Sequence, residues 1–280
     1  MPPEEAMDSV APADVIIPEH IRVDETLLAA APKLKLVQTG AGYDNVDIEA
    51  CTARGVKVCN AAGVNAQAVA EHTLAMILCW YKNICYLDSF VKNRRPMSGL
   101  DYSGSELEGK TIGIIGLGNI GMKVAALCNA FGMKVLGCSR RDVNMPGITQ
   151  TDLATLLMES DIVSLHCPLT DGTRHLINRE TLAQMKSSAL LVNTSRGAVV
   201  DEAALAEALE NKVIAGACLD VNEQEPLPPD SPLLNLPNVI LTPHTAGQPD
   251  SVKYHKKRFD FFTENIKAVM NGNPPRCALN

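Results

Sequence analysis

From Lys110 onward the chain repeats one device: short runs apolar at consecutive positions, "TIGIIG", "MKVLGC", "DIVSLHC", "ALLVN", "IAGACLDV" and "NVILTP". Helical patterns lie between most of them; Val124, Leu127, Cys128 and Phe131, for example, recur at i, i+3, i+4 and i+7. A strand with one wet face alternates polar and apolar residues, whereas these runs need cover on both faces, which a parallel sheet flanked by helices provides. The block 86–251 is therefore expected to form one doubly wound α/β domain.

A second βα region precedes it, with "ADVIIP", "KLKLVQTG" and "GVKVCN" as strands and the helical stretch "NAQAVAEHTLAMILCWYKN" after them. Phe259, Phe262, Ile266 and Val269 mark a last helix that Gly272 is placed to stop. This helix is expected to return to the first region. Residues 1–85 and 252–280 then make a smaller, discontinuous domain beside the domain 86–251. A chain of 280 residues also has the length at which single cores usually divide.

Basic residues number 25 and acidic ones 32, a formal net charge of −7, so nothing at the level of the whole chain favours a nucleic-acid or anionic-membrane partner. The basic cluster "KYHKKR" reads as a solvated helix face. The nine cysteines include no CxxC pair, and most sit in apolar surroundings, which fits reduced, packed thiols and a cytoplasmic location. The acidic start "MPPEEAMDSV" lacks the apolar core of a signal peptide, and the apolar run near Leu74 to Tyr81 is too short to span a bilayer. No metal-ligand spacing joins histidine to cysteine. His72 reads as a structural residue of an apolar helix, and His166 as the end of a strand near a ligand. His20, His175 and His255 carry no signal.

Gly116, Gly118 and Gly121 follow a strand and open an amphipathic helix. In a dinucleotide fingerprint the first glycine permits the tight turn, the second lets backbone approach a pyrophosphate, and the third allows close helix packing, while the helix N-terminus offers unpaired N–H groups to the anion. The next strand ends at Ser139, 18 positions after Gly121, where an acidic residue for the ribose 2′-hydroxyl is usual. Here Ser139, Arg140 and Arg141 offer donors and positive charge instead, chemistry suited to a 2′-phosphate. The expectation is NADP(H) as preferred cofactor with NAD(H) also accepted. The alternative is that both arginines are exposed loop charges and Asp142 takes the ribose.

Three further segments end predicted strands: "LLVNTSRGAVVDEAAL", "LDVNEQEP" and "LTPHTAG". Together with the glycine motif and "GAGYDNVD", in this order and spacing, they resemble the D-isomer-specific 2-hydroxyacid dehydrogenases, of the glyoxylate and hydroxypyruvate reductase kind, from about Ala13 to Asn271. The resemblance implies a Rossmann nucleotide domain and a smaller flavodoxin-like substrate domain. Carried over residue by residue, it implies Arg196 as the substrate-binding arginine, Glu225 as the acidic partner, and His244 as proton donor and acceptor. Ala41 and Gly42 would offer N–H groups to the substrate carboxylate. Asn119 and Ile120 would touch the pyrophosphate; Cys167, Pro168 and Thr173 would line the adenosine side; Asp220 would hold the nicotinamide carboxamide; and Thr194, His244 and Gly247 would complete the cofactor contacts. The chemistry agrees, since hydride reduction of a 2-oxo acid leaves a developing alkoxide that needs a proton, a task for histidine. Arginine can grip a carboxylate through two parallel N–H bonds, which lysine cannot reproduce. Taken singly, each residue has a plain alternative: Arg196 as a strand cap, Glu225 as a loop charge, His244 as a satisfied turn histidine.

Family members begin with a strand, a helix and a second strand ahead of the segment matching "ADVIIP". This chain is expected to be N-terminally shortened, with an unpaired sheet edge and a substrate domain that exchanges its amides faster before residue 60 than near Ile114. Formate dehydrogenase relatives carry glutamine in place of Glu225, and phosphite dehydrogenase relatives a lysine in the turn held here by Gly40 to Gly42, so neither is favoured. The expected activity is reduction of a small 2-oxo acid by a homodimer assembled through the long helix beginning near Asn65, although the apolar face of that helix could equally be core. Two alternatives stand: D-3-phosphoglycerate oxidation, for which no C-terminal regulatory domain follows the last helix, and a non-catalytic dinucleotide-binding regulator of the same fold.

Overall fold

The computed structural model describes residues 9–18, 21–100, 103–143, 145–248 and 252–280. The acidic stretch 1–8, His20 and the expected boundary after residue 251 lie outside them. In chain order the elements begin with β1 (Val15–Ile16), α1 (Glu25–Ala30), β2 (Leu36–Thr39), α2 (Ile48–Ala53) and β3 (Lys57–Asn60). Next come α3 (Ala66–Tyr81), α4 (Ile84–Lys92), β4 (Thr111–Ile115), α5 (Asn119–Ala130), β5 (Lys134–Cys138), β6 (Ile148–Gln150) and α6 (Leu153–Glu159). They are followed by β7 (Ile162–Leu165), α7 (Arg179–Leu182), β8 (Leu190–Asn193), α8 (Glu202–Glu210), β9 (Gly216–Leu219), β10 (Val239–Leu241) and α9 (Val252–Met270).

Two compact units result: residues 1–65 with 249–280, and residues 66–248. The division differs from the one expected at residue 85, because α3 belongs to the second unit. Its buried face joins the core around β4 and β8 through Ala70, Leu74, Met76 and Ile77. Two close contacts fix it there: a Cβ on Gly216 would lie 2.0 Å from the Trp80 ring, and the Cys218 thiol donates to the Met76 carbonyl at 3.7 Å. The apolar face of α3 is thus core.

The larger unit holds a seven-stranded, wholly parallel sheet in the order β10-β9-β8-β7-β4-β5-β6. β7, β8 and β9 are buried at every position, as their uniformly apolar sequences require, and two apolar clusters cover the faces, one around Leu157, Leu165 and Leu205, the other around Ile77, Ile112 and Val124. All six expected runs form strands. β6 is a seventh, half-exposed and without an apolar run.

The smaller unit has three parallel strands, β1-β2-β3, with a core of Leu28, Val37, Cys51 and Val58. Its last helix ends at Met270, two residues before Gly272, whose φ of +74° suits glycine. Of the residues expected on its apolar face, Phe262 is buried but Phe259 is 56% exposed, because Phe261 and Asn265 face inward instead. Asn265 Nδ2 donates to Gln38 Oε1 at 2.8 Å and to the Arg276 carbonyl at 3.0 Å, and its Oδ1 accepts from Arg276 N–H at 2.8 Å. Gln38 Nε2 donates in turn to the carbonyls of Thr39 and Cys59. The C-terminal tail runs along β3, with Leu279 N–H on the Val58 carbonyl at 2.8 Å and Val58 N–H on Asn280 Oδ1 at 2.9 Å.

All nine cysteines are free. Burial pushes the thiols of Cys51 and Cys167 up to about 11 and that of Cys128 to about 12, which keeps them protonated. Among the described residues no helix is long and apolar enough to cross a membrane.

Candidate active site

In the seven-stranded sheet the chain runs outward from β4 to β5 and β6, then returns to β7 on the other side of β4. Loops leaving the C-terminal ends of β4 and β7 diverge at this reversal, the place where open α/β sheets bind ligands. The glycine motif occupies it, and its three glycines are required for different reasons. Gly116 has φ +100°, and a Cβ there would stand 2.7 Å from the backbone of His166 and Cys167. A Cβ on Gly121 would lie 2.0 Å from the Gly116 carbonyl oxygen. Gly118 is unlike both: its φ is −91°, which any residue adopts, and a Cβ would meet nothing within 4 Å. Neither backbone nor packing asks for glycine there, so the open space beside it fits a ligand that approaches the main chain.

The helix starts support the same reading. Asp24, Asp47, Asp152, Asn178 and Asp201 each cap a helix by accepting from its first-turn N–H groups. α5 begins instead at Gly118, with no side-chain cap, leaving the first-turn N–H groups around Asn119 and Ile120 free for a pyrophosphate. The residues present fit a dinucleotide.

β5 pairs with β4 so that Cys138 lies opposite Ile115, which brings Ser139, Arg140 and Arg141 beside the glycine turn. Gln150 shapes that loop: its Nε2 donates to the Arg141 carbonyl at 2.8 Å and to Ser139 Oγ at 3.2 Å, and its Oε1 accepts from Val143 N–H at 2.9 Å. Arg140 and Arg141 are exposed, and among the described residues neither enters a salt bridge. Beyond β7, Thr173 Oγ1 donates to the Pro168 carbonyl at 2.6 Å, folding the loop that follows the buried Cys167. His166 is half-buried, and burial holds its imidazole down to about 3, so it stays neutral.

Beyond β8, Thr194 is buried and meets Thr73 hydroxyl to hydroxyl at 3.0 Å. Arg196 is anchored by its neighbours: Asn193 Nδ2 donates to the Arg196 carbonyl at 2.9 Å, and Arg196 Nη1 donates to the Ser195 carbonyl at 2.7 Å. A Cβ on Gly197 would come within 1.9 Å of the Asn222 carbonyl group, so the loops after β8 and β9 press together here. In the second of these loops stands Glu225. Its Oε1 accepts from Asn222 N–H at 3.1 Å, and its Oε2 is 2.6 Å from His244 Nδ1. His244, beyond β10, has φ +55° and a side chain 46% exposed. Asp220, 1% exposed, accepts from Thr242 Oγ1 at 2.6 Å and from the N–H groups of Thr245 and Ala246 at 2.9 Å each.

The structure thus joins Glu225 to His244 directly and sets Arg196 and Asp220 on the neighbouring strand ends β8 and β9. Ala41 and Gly42 follow β2 in the three-stranded unit, where Asn60 Nδ2 donates to the Ala41 carbonyl at 3.0 Å. Two pairings escaped the sequence. His72 Nε2 lies 3.1 Å from Thr242 Oγ1, and His175 Nε2 forms a second imidazole–carboxylate pair with Glu223 Oε1 at 2.5 Å. No spacing rule reveals either, since each joins segments far apart in the chain.

Residues 74–246 match the family model described as D-isomer specific 2-hydroxyacid dehydrogenase, NAD binding domain. The chain belongs to this family. It is 42% identical over 268 residues to a glyoxylate reductase of Thermofilum pendens, covering 92% of this chain and 78% of that protein. It is 38% identical over 271 residues to a D-3-phosphoglycerate dehydrogenase of Archaeoglobus fulgidus, covering 95% of this chain and 51% of that protein. Among solved structures, an acyclic imino acid reductase in complex with NADPH and D-Arg superposes with a TM-score of 0.91 at 33% identity, covering 99% of this chain and 89% of that one. The chain is therefore a D-2-hydroxyacid dehydrogenase that uses a nicotinamide dinucleotide.

Proposed function

We propose that this dehydrogenase reduces a small 2-oxo acid, glyoxylate or hydroxypyruvate, with NADPH preferred over NADH and with His244 as proton donor. The observation that carries the reading is the 2.6 Å contact between His244 Nδ1 and Glu225 Oε2. A carboxylate there accepts the Nδ1 proton and stabilises an imidazolium, which leaves Nε2 as the atom that exchanges its proton with substrate. When bound, the dinucleotide supplies a hydride to the carbonyl carbon. His244 Nε2 gives its proton to the oxygen that becomes the hydroxyl, and in oxidation takes it back. Arg196 holds the substrate carboxylate through its planar fork and polarises the adjacent carbonyl. Gly118, Asn119 and Ile120 would receive the pyrophosphate. Ser139, Arg140 and Arg141 would receive the 2′-phosphate of NADPH.

The glyoxylate reductase relative favours this substrate class; the phosphoglycerate dehydrogenase relative favours a second reading, oxidation of D-3-phosphoglycerate. Purified protein assayed with each dinucleotide against glyoxylate, hydroxypyruvate, other 2-oxo acids and 3-phosphoglycerate separates them. Fast consumption of NADPH with glyoxylate or hydroxypyruvate supports the proposal. Preference for NADH removes its cofactor part, and preference for 3-phosphoglycerate its substrate part. Dinucleotide binding without turnover of any acid would leave a binding protein.

A further inference from the structure

His72 lies on α3, and its Nε2 is 3.1 Å from Thr242 Oγ1 and 3.6 Å from Asp220 Oδ1. The Thr242 hydroxyl is 2.6 Å from the same Asp220 oxygen. An ionised carboxylate has no proton to give, so the hydroxyl hydrogen points at Asp220 and only lone pairs are left to face His72. Nε2 of His72 must then carry a proton. The chain of bonds has one direction, from His72 Nε2–H to Thr242 Oγ1–H to Asp220 Oδ1.

What this chain holds is the segment around His244. Asp220 Oδ1 also accepts from Thr245 N–H and Asp220 Oδ2 from Ala246 N–H, at 2.9 Å each, while the Asp220 carbonyl accepts from His244 N–H at 2.8 Å. One buried residue therefore ties the backbone at His244 and at the two residues after it. His244 has φ +55°, a region that side-chain-bearing residues leave unless their surroundings over-determine it. At the other end the chain starts on a helix locked into the core by Ala70, Met76 and Ile77. Thr73, next to His72, is anchored as well, its hydroxyl donating to the Val69 carbonyl at 2.8 Å.

We propose that His72 is a positioning residue for His244: through Thr242 and Asp220 it fixes the backbone that aims the His244 imidazole. This rests on the reading of His244 as proton donor. A misplacement of about 1 Å at a reacting group can cost a hundredfold in rate, so a loosened loop should lower kcat while leaving KM and cofactor affinity in place.

The experiment compares His72→Phe, which removes the donor and keeps the bulk, with His72→Gln, whose amide can present an N–H near the position of Nε2. Turnover of a 2-oxo acid, the dinucleotide dissociation constant from nicotinamide fluorescence, and amide exchange at Thr245 and Ala246 are measured on each intact chain. The expectation is that His72→Phe lowers kcat by about ten- to a hundredfold with KM and dissociation constant unchanged, and speeds exchange at both amides. His72→Gln restores both. Wild-type kcat in His72→Phe, unchanged exchange, or a glutamine variant as impaired as the phenylalanine one would overturn the proposal. Should His72→Phe fail to fold, Thr242→Val against Thr242→Ser puts the same link to the same test. If the wild-type protein turns over no acid, the reading of His244 fails separately, and exchange at Thr245 and Ala246 alone decides whether His72 holds the loop.

Discussion

The two units solve the same problem, a parallel sheet with helices, by different means. In the seven-stranded unit three inner strands are buried throughout and apolar clusters lie on both faces, so the core rests on burial and its strand ends are free to carry polar loops. The three-stranded unit has a smaller core and closes it with a polar network from the buried Gln38 and Asn265 to the backbone of Arg276, and with a tail along β3. Burial is non-directional and tolerates variation in loops, whereas hydrogen bonds in a small core are lost all at once when one partner goes. The comparison teaches where change is tolerated: at the strand ends of the larger unit for chemistry, and scarcely anywhere along the network of the smaller.

The largest effect is expected at those strand ends. Replacing His244 by alanine should lower kcat by about 10²- to 10⁴-fold, the usual worth of a positioned acid, while thermal unfolding and dinucleotide affinity stay near wild type, because the side chain is 46% exposed. Stopped-flow turnover beside a melting curve checks it. If stability collapses along with activity, the division between a load-bearing interior and permissive strand ends is wrong. Next in size is the double change of Arg140 and Arg141 to alanine. A hydrogen bond to a charged group contributes about 1.5–3 kcal/mol, so NADPH should bind roughly ten- to a hundredfold more weakly for each one lost, with NADH binding hardly altered. Equal losses for the two dinucleotides in a titration would instead return both arginines to the role of solvated loop charges.

Much of this was legible in the sequence, for a physical reason. Buried parallel strands, a glycine turn with no room for a Cβ at Gly116 and Gly121, and a main chain left bare at Gly118 leave local marks, so the six apolar runs and the three glycines could be read directly. β6 left none, because a half-exposed edge strand of three residues needs no apolar run. The assignment of α3 to the larger unit was hidden too, since chain order places it after β3 and only the contacts of Trp80 with Gly216 and Cys218 with Met76 decide where it packs. The inward turn of Asn265 is a tertiary matter, as an asparagine reads as polar until its partners are known. Pairings such as His72 with Thr242 and His175 with Glu223 join distant segments, and a single sequence carries no distance.

A smaller, selective effect should distinguish the units. Asn265→Leu leaves Gln38 Oε1 and Arg276 N–H without their partner, and the buried Gln38 oxygen so stranded costs about 1–3 kcal/mol. Amide exchange should accelerate across β2 and β3 while β4 and β7 keep wild-type protection. Uniform acceleration in both sheets would mean that the units unfold as one, and the contrast between their cores would lose its energetic meaning.

The subtlest test uses pH. An unfolded histidine takes up a proton below about pH 6.5, but burial keeps His166 neutral down to about 3. Between those values the unfolded state binds more protons than the native one, so the contribution of this site to stability is full above pH 6.5 and is lost progressively as pH falls towards 3. Carboxylates add their own dependence at the lower end, near pH 4, which makes the range from 6.5 to 5 the informative one. Exchange in β4 and β7 should therefore quicken as pH is lowered through that range, after correction for the intrinsic rate, and β2 and β3 should follow it less. His166→Gln, which keeps an N–H near Ser164 Oγ, now 2.9 Å from His166 Nε2, should flatten the response in the larger sheet. An identical slope in wild type and variant would show that His166 does not couple protons to the folding of that sheet.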